Sequence, residues 1–451
     1  MGTTEKLATF IVDFDFSKLP ASGMEQMKIS LLDTLGTALV GSTRPMATIM
    51  SNFVKKMGGN PQARLIGSGM KTNVLDAALA NGTFAHYEDY DDVDDFGHPA
   101  VVLTPPVIAL GEQLKLSGKK IMEAYSVGFE VGSKIRNGLG VGAARKGFHM
   151  TSLFGTMAAA AETAKLLGLN VAHTRAAMGI AASMASGIMQ NFGTYTKPMH
   201  PGHAARCGMM AGILAKDGFT GDPDVLEGRL GFFYVFGDGH SDIRRVTENI
   251  GSPLAIASHH VFIKAWPCCL ENHLALTAMF NLIEKYDVKP EQVEAIDIVQ
   301  PGKGPGPSFR NYPKTGLEGK FSVQYNMATA LVDRKVDVNS HTDEKLARPM
   351  IQDLIKKVTR VQHPDFVDLP VRLEGGKPNF AIVTLRLKDG RVLSERVEQA
   401  RELKGEEVYA KYQENARIGG IGKDKIERTI ELIKGLENLK DVTELVDTVV
   451  S

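Results

Sequence analysis

Between Ala85 and Pro99 the chain reads Ala-His-Tyr-Glu-Asp-Tyr-Asp-Asp-Val-Asp-Asp-Phe-Gly-His-Pro, with six carboxylates in the eight residues from Glu88 to Asp95. Like charges this close repel one another, so a folded chain keeps them in solvent, around a cation, or where a proton has to move. A solvated loop is the plain alternative. Two histidines, His86 and His98, flank the acidic run, and an apolar stretch from Val101 to Leu110 follows it. Basic groups elsewhere in the chain tip the balance toward chemistry.

Metal binding is the first rival. An EF-hand template started at Asp89 puts Val93 at its fifth position, Asp94 where glycine is needed and Ala100 where the bidentate glutamate belongs, so it fails. A transition-metal site from His98, His149, His200 and His203 has ligands of the right type, but the His200-x-x-His203 spacing comes without paired cysteines or a His-Glu-x-x-His run. No metal is expected. Gly138-Leu-Gly-Val-Gly-Ala143 has the letters of a dinucleotide fingerprint, yet it follows a helical pattern, which gives no phosphate cradle. Nicotinamide cofactors and P-loop nucleotides are set aside. The adjacent Cys268 and Cys269 form no Cys-x-x-Cys pair and read as buried structural thiols.

Four further segments set a cation or hydroxyl beside proline, glycine or aromatic residues: Lys146 to Ser152, Thr196 to His203, Lys264 to Cys269 and Gly319 to Tyr325. A lone lysine or histidine is usually a surface or satisfied core residue. Together with the acidic loop they suggest one site.

The elements that would position these groups follow from the patterning. A chain of 451 residues exceeds what one core fills and should divide into two domains or three. Lys plus Arg and Asp plus Glu each total 52, so no long-range field draws nucleic acid or an anionic membrane. Three cysteines without a disulfide framework point to a reducing, cytoplasmic compartment, and Met1 to Asp15 lacks the apolar core of a signal peptide. No uninterrupted apolar run is long enough to span a membrane.

Apolar residues at three- and four-residue steps predict helices over Met24 to Leu39 and Ile121 to Ile135. Small residues over Gly155 to Gly168 and Ala176 to Met189 predict closely packed, buried helices. After Cys269 a helix through Leu282 and a strand over Val293 to Gln300 precede a Gly/Pro cluster at 301–307. Asp389-Gly390 between two alternating runs predicts a hairpin closed by a two-residue turn. Lys423 to Val449 reads as an amphipathic helix that packs back on the first domain.

Ala77-Ala-Leu-Ala-Asn-Gly82 leading into Ala85-His86, Asp89-x-Asp91-Asp92, His98-Pro99, Gly147-Phe-His149 before an Ala-rich helix, Lys197-Pro198, Lys264 with Pro267 and Cys269, and Lys320-Phe-Ser322-x-x-Tyr325 together resemble the MmgE/PrpD family, nearly end to end. The resemblance implies a mainly α fold with a smaller α+β part. A large helical-bundle domain (1–265, completed by about 405–451) would carry an α/β lid domain (266–404). It also implies no required cofactor, a homodimer, and action on small carboxylates: 2-methylcitrate dehydration, cis-aconitate decarboxylation or iminodisuccinate epimerisation. Carried over position by position, Asp89, His98, His149, Lys197, Lys264 and Tyr325 would line the cleft. Val93 stands where the family often has threonine, and Trp266 where it usually has tyrosine.

All three activities pass through a carbanion- or enolate-like centre beside a carboxylate. Lys197 and Lys264 would bind a polycarboxylate substrate, with His149, Arg206, Lys320 and Ser322 as additions. His98 would exchange the proton, with Asp89 as its partner or the opposing group, and Tyr325 would donate to a leaving hydroxyl or a carboxylate. A 2-methylcitrate-type hydro-lyase is put first, with decarboxylase and epimerase as alternatives. A non-catalytic binding protein on the same fold predicts instead that Lys197, His149 and His98 do not converge.

Overall fold

The computed structural model describes residues 1–300, 310–361 and 380–451. Helix Val74–His86 is buried on nearly every side, because Ala, Gly and other small residues let its neighbours come close all round. Asn73 caps it, its side chain accepting from the Asp76 amide. Helix Thr196–Lys216 crosses it where Gly82 faces Gly202: a Cβ on Gly82 would lie 2.7 Å from the Gly202 Cα. The same helix meets Met150–Leu166 at Gly208, where an added Cβ would come 2.5 Å from that of Ala159. Ala21–Ser42, Ala100–Leu114 and Gly118–Leu139 complete the bundle around one buried apolar cluster.

The two predicted helices over Met24 to Leu39 and Ile121 to Ile135 appear inside Ala21–Ser42 and Gly118–Leu139. Of the second small-residue stretch, only Val171–Ala182 is helical. The glycine run at 138–143 joins the end of Gly118–Leu139 to the short helix Gly142–Arg145, with no strand before it.

A second apolar cluster lies between Trp266 and Val397. Its sheet runs in the order Val358–Val361, Val293–Val299, Ala381–Leu387, Val392–Val397; the first pair is parallel and the others antiparallel. Helices His273–Tyr286 and Val323–Asp333 belong to the same cluster. Val293 and Ile296 are both buried although three residues apart, because a register shift falls between Val293 and Ala295. The Asp389-Gly390 turn differs from expectation. Leu387 N bonds Arg391 O and Gly390 N bonds Leu387 O, and only Gly390 has positive φ, so the loop has three residues and ends in a bulge.

Helix Glu406–Ile418 returns to the helical core, its Tyr412 ring lying over Gly36. The final amphipathic stretch is broken after Lys423–Lys434, at Gly435, and finishes as helix Thr443–Thr448. Backbone bonds from Gly118 to Leu439 and from Gly67 to Val449 fasten it to the first core. The Gly/Pro cluster at 301–307 lies outside the described residues. Among the described residues no helix is long and apolar enough to cross a membrane.

Candidate active site

The acidic run is not a solvated loop. Glu88, Asp89, Asp91, Asp92 and Asp94 are buried, and of the six carboxylates only Asp95 is exposed. The run leaves the end of Val74–His86, reverses at Asp89 (φ 51°), and turns again between Asp94 and Gly97, which exchange two backbone bonds. Gly97 (φ 115°) lies against the start of Met150–Leu166, and the His98 amide donates to Thr151 Oγ1. Val93 is buried and exchanges two backbone bonds with Phe262, a packing position between strand-like segments.

Each buried carboxylate has its own partners. Asp89 Oδ1 accepts from Lys197 Nζ at 3.0 Å and from Lys264 Nζ at 2.8 Å, and Lys264 also donates to the Asp89 carbonyl. Asp91 accepts from His86 Nδ1 on one oxygen, at 2.8 Å, and from His98 Nδ1 on the other, at 2.7 Å. Glu88 pairs with Lys320 at 2.6 Å and with Arg44 at 2.5 Å. Asp92 accepts from the Ala100 amide at the start of Ala100–Leu114. Asp94 faces His259 at 3.2 Å.

These partners set the protonation states. Burial alone would push the Asp89 carboxyl up; Lys197 and Lys264 outweigh it and hold it well below the carboxylate range. Asp91 is likewise held low against burial by His86 and His98. Burial pulls His98 down to about 3, with Asp91 opposing and Lys264 assisting. His86 is lowered by burial despite Asp91. Lys197 is lowered by burial against the pull of Asp89, whereas Lys264 is raised because Asp89 and Asp91 outweigh its burial. The tautomers follow from the bonding: both imidazoles give Nδ1–H to Asp91, so both present Nε2 as an acceptor. Lys197 uses that of His86, at 2.5 Å. His98 Nε2 stands 3.7 Å from Asp89, and its side chain keeps 13% of its surface open. The carboxylate that orients His98 is therefore Asp91, correcting the expected Asp89, and burial lowers the imidazole where the carboxylate was expected to raise it.

Asp89, His98, Lys197 and Lys264 thus form one connected cluster, and His149 lies beside it, its ring stacked on His86 with centroids 6.1 Å apart. Phe192 and Phe321 wall Lys197, their centroids 5.6 and 5.4 Å from its Nζ. Other expected residues lie elsewhere. Tyr325 donates to the Ser340 carbonyl at 2.5 Å, and burial pushes its phenol up to about 12. Ser322 caps Val323–Asp333, accepting from the Tyr325 amide. Lys320 is spent on Glu88 and the Tyr87 carbonyl, fastening the acidic loop to the second core. Arg206 pairs with Asp76, near the opposite end of Val74–His86 from His86. His203 faces Cys207, with Nε2 3.4 Å from the sulfur, while His200 faces His149. Cys268 and Cys269 are buried thiols, both pushed up by burial.

His86 and Asp91, which the sequence motifs include without a role, and Lys411, which they omit, are further members of the cluster. Lys411 pairs with buried Asp33 at 2.7 Å and donates to the Tyr90 and Lys264 carbonyls, bracing the site from behind. The ligating atoms of His86, Asp89, Asp91 and His98 lie within 4.8 Å of one another. Lys197 already bonds Asp89 and His86, and Lys264 bonds Asp89, so the set is paired with ammonium groups.

The arrangement offers two buried ammoniums, an imidazole with an open nitrogen and an aromatic wall, between a helical and an α/β core. It suits a small anion with several carboxylates. The MmgE/PrpD N-terminal domain matches residues 5–243, and the MmgE/PrpD C-terminal domain matches residues 266–438. The chain belongs to the MmgE/PrpD family. It is similar to cis-aconitate decarboxylase of Homo sapiens, 29% identical over 465 residues, covering 98% of this chain and 93% of that protein. Cis-aconitate decarboxylase of Aspergillus terreus is 28% identical over 479 residues, 99% of this chain and 95% of the relative. Mitochondrial 2-methylcitrate dehydratase of Yarrowia lipolytica is 24% identical over 428 residues, 87% and 79%. The decarboxylases match at higher identity and over more of the chain, which reverses the order in which the sequence reading placed the two activities.

Proposed function

We propose that this protein is a lyase of small polycarboxylates and that its reaction is a cis-aconitate-type decarboxylation. The observation that carries the proposal is the convergence of Lys197, Lys264 and His98 on Asp89, in a chain similar from end to end to cis-aconitate decarboxylases. The non-catalytic alternative required Lys197, His149 and His98 to stand apart, whereas all three lie against His86.

The chemistry fits the residues. Loss of CO2 from the CH2–COO⁻ arm of cis-aconitate breaks one C–C bond. The released electron pair forms the new terminal double bond, the old double-bond pair moves to the former vinyl carbon, alpha to a carboxylate, and one proton is added there. Lys197 and Lys264, both buried, stabilise the charge spread into that carboxylate. His98 supplies the proton. Among its protein neighbours alone it is a neutral base; several carboxylates bound nearby favour its charged form, so the proton arrives with the substrate. A neutral His98 also suits proton abstraction, and dehydration of a 2-methylcitrate-type substrate is the second reading, supported by the dehydratase relative.

Proton NMR in D2O with cis-aconitate, 2-methylcitrate and citrate tests this. CO2 and itaconate carrying one deuterium at the internal CH2 are expected. Alkene formation from 2-methylcitrate, with cis-aconitate untouched, would replace decarboxylation by dehydration.

A further inference from the structure

We infer that His200 is a positioning residue: when a carboxylate lies against Lys197, His200 donates its Nδ1–H to His149 and so holds His149 as a neutral Nε2–H donor toward that carboxylate. The inference rests on the reading of the site as one for polycarboxylates. The two rings meet Nδ1 to Nδ1 at 2.9 Å. A hydrogen bond of that length holds one proton, so one Nδ1 donates and the other accepts. Two neutral rings joined this way carry opposite tautomers, and fixing one fixes the other.

Both rings are kept neutral. Burial lowers each imidazole first; His200, Lys197, His86 and His98 lower His149 further, and Lys197, His86 and His203 act on His200, which sits at about 4. The environment distinguishes their roles. His149 precedes Met150–Leu166, with its amide on the Gly187 carbonyl, and its ring lies between His86 and the edge of Phe192 at 4.9 Å, in the wall around Lys197. His200 is one turn beyond Lys197 on Thr196–Lys216, its ring 5.1 Å from that of His149. An anion on Lys197 favours an N–H over a lone pair on the ring that faces it. His149 then needs its Nδ1 free to accept, and His200 supplies the donor. A neutral imidazole donor avoids the cost of a third buried positive charge.

The test combines ¹⁵N NMR of histidine-labelled protein bound to tricarballylate, a saturated tricarboxylate, with kinetics of His200→Asn, His200→Leu and His200→Asp. The His149 signals are assigned by their loss in His149→Gln. The expected spectrum shows His149 protonated on Nε2 and bare on Nδ1. Asn places an amide N–H where Nδ1–H stood, Leu removes the donor, and Asp offers only an acceptor and forces the opposite tautomer. Leu is expected to raise KM about tenfold, the scale of one unmade buried hydrogen bond, Asp more, and Asn less than either. Binding with His149 protonated on Nδ1, or equal KM values for Asn and Leu, overturns the role of His200 alone. Absence of both tricarballylate binding and turnover overturns the polycarboxylate reading and this inference with it.

Discussion

Asp91 holds His98 through Nδ1 at 2.7 Å and thereby leaves that imidazole only Nε2 to offer. The other Asp91 oxygen does the same to His86. An amide cannot accept from both rings, because its nitrogen is a donor. Asp91→Asn is therefore expected to switch the tautomer of one ring and lower kcat on cis-aconitate by about 100- to 10,000-fold. Circular dichroism should show the fold retained. Wild-type turnover in a folded Asp91→Asn protein would remove the tautomer argument.

Gly82→Ala should act at a distance from the chemistry. Its methyl group meets the Gly202 backbone, so the helices carrying His86 and Lys197 must separate. A loss of about 1–3 kcal/mol in stability is expected from overpacking, with turnover falling by about 100-fold as the 2.5 Å contact between those side chains opens. Thermal unfolding and steady-state kinetics measure the two effects; a variant with lowered Tm and full activity would show the crossing to be scaffold alone.

Glu88→Ala leaves the buried Lys320 ammonium and Arg44 without their shared carboxylate. The expected cost is about 3–5 kcal/mol. Pairing Glu88→Gln with Lys320→Met removes the buried carboxylate and ammonium together, leaves only the part-exposed Arg44 charged, and should recover at least about 1 kcal/mol of it. Urea unfolding of the three proteins decides this, and a Glu88→Ala midpoint equal to wild type would contradict it.

Acid should weaken the unliganded fold before carboxylates titrate. His98 and His200 have folded pKa values near 3 and 4 against an ordinary 6.5, so between those limits the unfolded chain binds more protons and stability rises with pH. At pH 5 the neutral His98 costs about 2 kcal/mol relative to pH 8. Asp89 and Asp91, held low, add a loss of the same sign below about pH 4. Urea midpoints across pH 4.5–8 should slope upward, less steeply in His98→Gln. A flat profile would show that these imidazoles charge freely in the folded protein.

Residue types carried a good part of this site. Small residues over Gly155 to Gly168 indicated the buried helix Met150–Leu166, and Lys197, Lys264 and His98 stood out by their settings; Val74–His86, equally rich in small residues, carried no such expectation. Which carboxylate meets which histidine was not legible. Asp89, Asp91 and Asp92 are neighbours in a run with no repeating geometry, and the reversal at Asp89 sends each in a different direction. Glu88 and Lys320 are 232 residues apart, and only the packing of the two cores joins them. Ser322 and Tyr325 share a motif with Lys320 because they build the helix start that follows it, a local role that the letters of the motif do not reveal.

The placement of Asp89 between two lysines makes binding an exchange. Lys197 and Lys264 already have an anion in Asp89, so an arriving carboxylate competes with Asp89 for them. Affinity is then a difference between two similar ion pairs and should be modest, while selectivity comes from shape: a ligand gains only if its charges reach what Asp89 reaches and one position more. Simple monocarboxylates at cellular abundance would be poor competitors, and the site stays available for the rarer molecule that carries several.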